Sequence, residues 1–293
     1  MTGPQAAWLP DGRRLHLNHG PIDLIIEAFG APEEKRRAYA QAVDRFQTIL
    51  AELVCELSEL RRPAQATPRK FESLTANRME RAVCRHAPAF ITPMAAVAGS
   101  VADDIMAALI DARTLDKAYV NNGGDIALHL ATGQSIAAAI AGTGHGLADR
   151  IIIRAADPVR GIATSGWRGR SFSLGIADAA TVLARTAADA DAAATLIANA
   201  VDLPDHPAVT RVPASSLAPE SDLGERLVTQ DVGQLSPAEI AEALQRGHTV
   251  AEDFRRRGMI EAAAVFLAGE NRSVGPLALA EPEENPTRML AHA

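Results

Sequence analysis

Asp191 and Thr195 stand four residues apart in the segment DADAAAT, residues 189–195. On a helix that spacing puts both side chains on one face. A carboxylate beside a hydroxyl offers the hard oxygen ligands that Mg2+ takes, with backbone oxygens and water completing the shell. Asp189 competes for the same role. Two polar residues on an exposed helix face is the plainer reading of the same pair.

Asn121-Asn122-Gly123-Gly124-Asp125 interrupts two apolar runs. Paired glycines allow positive φ and close approach of backbone, and successive bare amides can cradle an anion. A tight turn between strands, capped by Asn and Asp side chains, uses the same residues. Ala163-Thr164-Ser165-Gly166 leads into Trp167-Arg168-Gly169-Arg170. Hydroxyls, amides and the guanidinium groups of Arg168 and Arg170 in one loop suit a phosphate; a solvated turn is the alternative. In PMAAVAGSVADD, which holds Gly99 and Asp103, small residues crowd a helix start. They let backbone come near a neighbouring element or a ligand. The eight histidines show no HxxxH or HExxH spacing. His145, in the Gly-rich GTGHGLAD, is the best lone candidate for acid–base work. His129 alternates with apolar strand residues and is expected to face solvent. GxSxG, Walker A and GxGxxG patterns are absent from the sequence.

The elements that must position these residues can be read from periodicity. RRLHLN and IDLIIEAFG read as strands joined by His19-Gly20-Pro21. Pro32, with Glu33 and Glu34 behind it, opens a long helix that ends before Pro63. A second helix runs from about Pro93 to Ala112. Strands follow at Tyr119–Val120, Ile126–Leu130, SIAAAIAG, RIIIRAA and GIATSG, with one near either end of SFSLGIADAATVLA. Ala187–Ala200 reads as an Ala-rich helix, and DLPDHPAV as a loop. Two further helices fit Pro237–Gln245 and Val250–Phe266. Strands and helices interleave through short hairpins, so the expected class is α+β: an antiparallel or mixed sheet with helices packed on it. Residues 1–269 read as a single domain, and 270–293 as a polar, Pro-rich tail, partly disordered or draped over the surface.

Composition narrows the function classes. The chain has 293 residues, 47% of them hydrophobic, which is enough to bury a sizeable core. A net charge of −7 and an aromatic content of 4% argue against nucleic-acid partners. Cys55 and Cys84 are in no metal spacing, and Cys55 is expected to be a buried small hydrophobe. The N-terminus lacks a signal-peptide apolar core. The apolar stretch Met94–Ile110 is broken by Asp103 and Asp104, so no membrane span is expected and the cytoplasm is the default compartment. Hairpins at a sheet margin and flat Ala-rich helices make a homodimer the expected assembly.

Taken in order, a small-residue helix start (Ala95–Asp103), Gly123–Asp125, Thr164–Gly166 and Asp191–Thr195 resemble the ApbE-like superfamily, whose characterised enzymes are FAD:protein FMN transferases. The resemblance spans about Pro93 to Ala200. GRSFSLGIADAATVLA and DADAAAT look most like a branch of short, cytoplasmic ApbE relatives. It implies a T-fold-like α+β architecture and a small-molecule nucleotide or phosphate ligand, FAD or FMN, bound with Mg2+. By similarity Gly123, Gly124 and Asp125 would line the flavin site and Thr164, Ser165 and Gly166 another wall. Asp191 and Thr195 would hold Mg2+ beside the pyrophosphate, and Gly99 and Asp103 would belong to the cofactor-binding helix. The chain also departs from the family pattern. A Lys usual before the glycine is Ala98 here, an aromatic usual after it is Ser100, and FSLGIADAATV lacks the family's His. Arg168 and Arg170 are the candidates to replace the lost cation. Three readings follow: a divergent FMN transferase, a non-catalytic ligand-binding accessory protein, or a different enzyme on the same scaffold without flavin.

Overall fold

The computed structural model describes residues 3–139 and 150–276. The chain forms β1 (Gln5–Trp8), β2 (Leu15–His19), β3 (Ile22–Phe29), α1 (Pro32–Cys55), the single turn α2 (Leu57–Leu60) and α3 (Leu74–Cys84). A 3-10 turn at Pro93–Ala96 leads into α4 (Val97–Ile110), then β4 (Lys117–Asn122), β5 (Asp125–Leu130), β6 (Ser135–Ala139), β7 (Arg150–Arg154), β8 (Gly161–Ser165) and β9 (Ala179–Ala184). The last third holds α5 (Ala187–Ala200), β10 (Val209–Pro213), the short α6 (Ala214–Leu217), β11 (Leu227–Val232), α7 (Pro237–Arg256), β12 (Ala262–Leu267) and β13 (Glu270–Val274). The fold is α+β, as the interleaved pattern predicts.

Nine strands make one antiparallel sheet in the order β1-β2-β3-β4-β5-β8-β9-β12-β13. Its middle is weak: β5 and β8 share only Ile126↔Ile162 and Ala127↔Gly161. Each side of that seam has its own core on the helical face. Leu17, Leu24 and Ile26 pack with Phe46 and Ile49 of α1 and Ile105 of α4. Val182, Ala263 and Val265 pack with Ile197 of α5 and Leu244 of α7. On the opposite face the β6–β7 hairpin covers Leu128, Ile162 and Phe266. Alternation of buried and half-buried residues in β2 and β4 follows from one face meeting helices.

Several expectations need correction. Val250–Phe266 is not a helix: α7 runs unbroken from Pro237 to Arg256, and Ala262–Leu267 is a strand buried at every position. The tail does not begin at residue 270, because Glu270–Val274 pairs with β12. Residues 277–293 lie outside the described chain. SFSLGIADAATVLA holds one strand, at Ala179–Ala184. Cys55, at the end of α1, is exposed, and Cys84 is the buried thiol. His129 is half-buried, with Nε2 3.3 Å from the Leu115 carbonyl oxygen, rather than directed to solvent. Pro93–Ile110 is long and apolar enough to cross a membrane, but it packs against α1, α3 and α5 as a core helix.

Candidate functional site

At the seam the sheet opens into a cleft of about 1020 Å³, at the upper end of the range for ligand pockets. The β4–β5 hairpin forms one lip. Asn122 pairs with Asp125, which leaves Gly123 and Gly124 as a two-residue loop at φ +65° and +115°. Only glycine takes those angles readily. Asn121 Oδ1 accepts the Gly124 N–H at 2.8 Å, and Asn122 Nδ2 donates to the Ala98 carbonyl at 3.1 Å. The motif is therefore both a hairpin turn and a cleft wall.

β8 supplies the facing lip. Thr164 donates its N–H to Asp125 Oδ1 at 3.3 Å, and its hydroxyl lies 2.9 Å from that of Thr181. Thr164, Ser165 and Gly166 all line the cleft. Gly166 also packs on backbone: a Cβ there would stand 2.5 Å from the Asp178 carbonyl oxygen.

The floor is built by two helix N-termini that clasp each other. Both carboxylate oxygens of Asp103, on α4, accept the first amides of α5, Ala187 at 3.0 Å and Ala188 at 2.9 Å. In return Asp191 Oδ2, on α5, accepts the Gly99 N–H in the first turn of α4 at 2.9 Å. The clasp needs glycine at 99, because a Cβ there would fall 2.3 Å from the Ala187 carbonyl oxygen. Gly99 and Asp103 are absent from the cleft lining. Close helix packing and capping of a neighbouring helix are the roles the structure gives them. Burial pushes the Asp103 carboxyl up to about 6 against those two amides.

Asp191, Thr195 and Asn199, at i, i+4 and i+8 of α5, line the cleft. Asn199 is committed elsewhere, accepting from Leu174 N at 2.8 Å and Ser173 Oγ at 3.2 Å. Asp125 faces Asp191 across the floor. Burial raises the Asp125 carboxyl to about 7, and burial followed by the Asp125 charge raises Asp191 well above the usual carboxylate range. Both residues are half-buried, open to the cleft they line. Two carboxylates side by side, one of them raised by the charge of the other, could serve as donors to a hard cation, and Thr195 adds a hydroxyl. Among the described residues no cluster of three or more His, Cys, Asp or Glu exists, so a cation here would draw on hydroxyl, backbone or ligand oxygens as well. Asp189, the competitor, is occupied in capping α5 through Thr186 and in pairing with Arg85 at 3.0 Å.

The two arginines part company. Arg170 lines the cleft, with Nη1 beside the Gly123 turn, and makes no ion pair among the described residues. Arg168 does not line the cleft: it bonds Asp178 Oδ1 at 2.6 Å and lies over the Trp167 ring. The expected pair of guanidinium groups is one. His145 lies outside the described residues. Residues that sequence reasoning missed include Asp222, fixed by the Thr92 hydroxyl at 2.5 Å, and Lys117 and Tyr119 of β4. The strand alternation of KAYVNN was the signal for the latter two.

A family model described as AbpE bacteria matches residues 6–273. Among curated proteins, a UPF0280 protein from Methanothrix thermoacetophila is 39% identical over 112 residues, covering 38% of this chain and 46% of that one. A UPF0280 protein from Methanoregula boonei is 33% identical over 164 residues, covering 54% and 68%. For the first three such relatives the match spans about half their length. Among solved structures, the flavin transferase ApbE from Vibrio cholerae aligns with a TM-score of 0.46 at 13% identity, over 92% of this chain and 97% of that one. The apo flavinyl transferase ApbE of Pseudomonas stutzeri gives 0.42 at 12% identity, over 94% and 95%. Both scores are below 0.5, and the fold stands on the strand pairing described above.

Proposed function

Because this chain belongs to the AbpE bacteria family, we propose that its cleft binds a flavin nucleotide together with Mg2+, and that slow transfer of an FMN group is the reaction it performs. The observation that carries this reading is the convergence of Asp125, Asp191 and Thr195 from two halves of the sheet into one large cleft. The donors are all hard oxygens, and two of them are enclosed carboxylates in need of a counter-charge, which fits Mg2+ and not a soft metal. When bound, Mg2+ would neutralise charge on a diphosphate and its leaving group.

The chain's own residues would orient the nucleotide. Asp125, Asp191 and Thr195 would hold the ion. Arg170 would clamp a phosphate oxygen, and Thr164 and Ser165 would offer hydroxyls to the same group. In the transfer an acceptor hydroxyl oxygen bonds to the FMN-side phosphorus. The bond from that phosphorus to the bridging oxygen breaks, AMP departs, and the hydroxyl proton passes to solvent. With Ala98 where the family carries Lys, and Arg168 tied to Asp178, one guanidinium serves where more positive charge is usual. Removing a single positioned donor from a transition state costs about 10²–10³ in rate, so slow transfer is expected.

The same shortage of cations favours one second reading, a nucleotide-binding accessory protein without transferase activity. The experiment mixes protein, FAD, Mg2+ and an acceptor domain carrying a target Thr, and reads covalent FMN by mass. Slow transfer, abolished by Arg170→Ala and kept by Arg168→Ala, is the expected result. Binding of FAD without transfer selects the accessory reading. Absence of both contradicts the flavin proposal.

A further inference from the structure

Between β10 and β11 the chain makes an excursion over residues 214–226 that is closed at its base. Pro213 pairs with Leu227, and the Ala214 N–H donates to the Arg226 carbonyl at 2.9 Å. A second bond, from Ser215 N–H to the Gly224 carbonyl at 2.9 Å, narrows the neck. The tip, Ser221-Asp222-Leu223, lines the cleft and also a second depression of about 480 Å³. The Thr92 hydroxyl, 2.5 Å from Asp222 Oδ2, ties the tip to the turn that leads into α4. One anchored loop therefore borders both hollows, and a chain lying in the depression reaches the cleft by crossing it.

The depression has an oriented cation in it. Arg226 is exposed, its guanidinium carbon lies 3.4 Å from the centre of the Phe90 ring, and it makes no ion pair among the described residues. Stacking holds the guanidinium plane and leaves its N–H edge free, the geometry that takes a carboxylate by two parallel bonds. Arg61, in the same hollow, is paired only with Glu220 at 3.1 Å, and the Glu220 side chain is 83% exposed. Such a surface pair is weak, so an incoming carboxylate can take its place. Beside Arg226 the surface is apolar. Leu217 and Leu227, at the base of the excursion, are 44% and 52% exposed. Two residues along, Thr229 donates its N–H to the Ser173 carbonyl at 2.9 Å, which brings Phe172, 37% exposed and part of the cleft lining, to the same strand. These three are half of the six large apolar side chains exposed among the described residues. A small anion would need Arg226 alone; an arginine flanked by exposed apolar side chains is the composition of a protein interface.

We propose that this surface docks the acceptor protein, with an acidic side chain of the acceptor on Arg226, apolar contact on Leu217 and Leu227, and the chain crossing Ser221–Leu223 to bring its hydroxyl into the cleft. The inference rests on the transfer reading above and adds where the protein substrate binds. Transfer is measured against acceptor concentration at saturating FAD and Mg2+, with covalent FMN read by mass. The probe is an acceptor domain with Asp or Glu near its target Thr, and the same domain with those residues changed to Asn or Gln. Arg226→Glu should raise KM for the acidic domain roughly ten-fold, the scale of a lost charge-assisted pair at an interface. It should leave kcat, and FAD affinity by calorimetry, unchanged. Leu227→Ser should raise KM several-fold. The neutralised domain should bind wild type as weakly as Arg226→Glu does and no longer distinguish the two. Unchanged KM in Arg226→Glu overturns the docking site while sparing the transfer reading. So does a loss of FAD affinity that accounts for the slower transfer, or a neutralised domain that still prefers wild type. Wild type that transfers no FMN overturns the transfer reading, and the docking site with it.

Discussion

Gly99 shows how a residue type can be right for a reason other than the one first assigned to it. Its backbone donates to Asp191, and its missing Cβ leaves room for the Ala187 carbonyl. Gly99→Ala should therefore destabilise the ligand-free protein by about 3 kcal/mol, the upper range for inserting a methylene into a packed contact. Denaturant melts check this; an unchanged midpoint would contradict the clasp. The cleft-lining residues Gly123, Gly124, Asp125, Thr164, Ser165, Gly166, Asp191 and Thr195 were legible because turn glycines, hydroxyls and an i, i+4 pair carry their geometry locally. Asp103 and Arg168 were not, because what decides their role is a partner distant in sequence: the α5 amides 84 and 85 residues on, and Asp178 in another loop.

Between elements, His86 marks the contact of α3 with α7. It follows the last turn of α3, and its ring centre stands 4.7 Å from that of Phe254. Burial, then the nearby Arg257 and Arg85 charges, lower its pKa to about 4. Unfolded, it takes up a proton near 6.5. Between those values the unfolded chain holds more protons, so stability rises with pH and is lost as pH falls from about 6.5 toward 4. The full effect is about 3 kcal/mol. Urea melts at several pH values should show this slope in wild type and a flatter one in His86→Gln; parallel slopes would contradict it. Element type was misread where periodicity fails. The two helices expected at Pro237–Gln245 and Val250–Phe266 leave out Gly247, yet α7 runs through it and needs glycine there, since a Cβ would lie 2.3 Å from Cγ2 of Val201, the residue capping α5. AAAVFL is buried on both faces, so it has no alternation to mark it as β12. α3, β1, β10 and β11 were not anticipated, being short, polar or covered on one side by distant segments.

For the molecule as a whole, the antiparallel sheet and its helical layer followed from interleaved hairpins. The seam between β5 and β8, and hence the cleft, did not, because strand order across 30 residues is a tertiary outcome. The sheet ends in two short edge strands, β1 and β13, largely exposed. Such edges invite pairing, and we propose a homodimer in solution. Light scattering at micromolar concentration should give about twice the 30.9 kDa chain mass; the single-chain mass would contradict it. The central claim is that Asp125 and Asp191 exist to hold a cation beside a nucleotide diphosphate. Calorimetry of FAD binding, with and without Mg2+, in wild type and Asp191→Asn tests it most directly. The account predicts tight binding only with Mg2+ in wild type. It predicts at least ten-fold weaker, Mg2+-insensitive binding in Asp191→Asn, whose ligand-free protein melts no lower than wild type because a repelled buried charge is gone. FAD affinity that is the same in both proteins and indifferent to Mg2+ would contradict it.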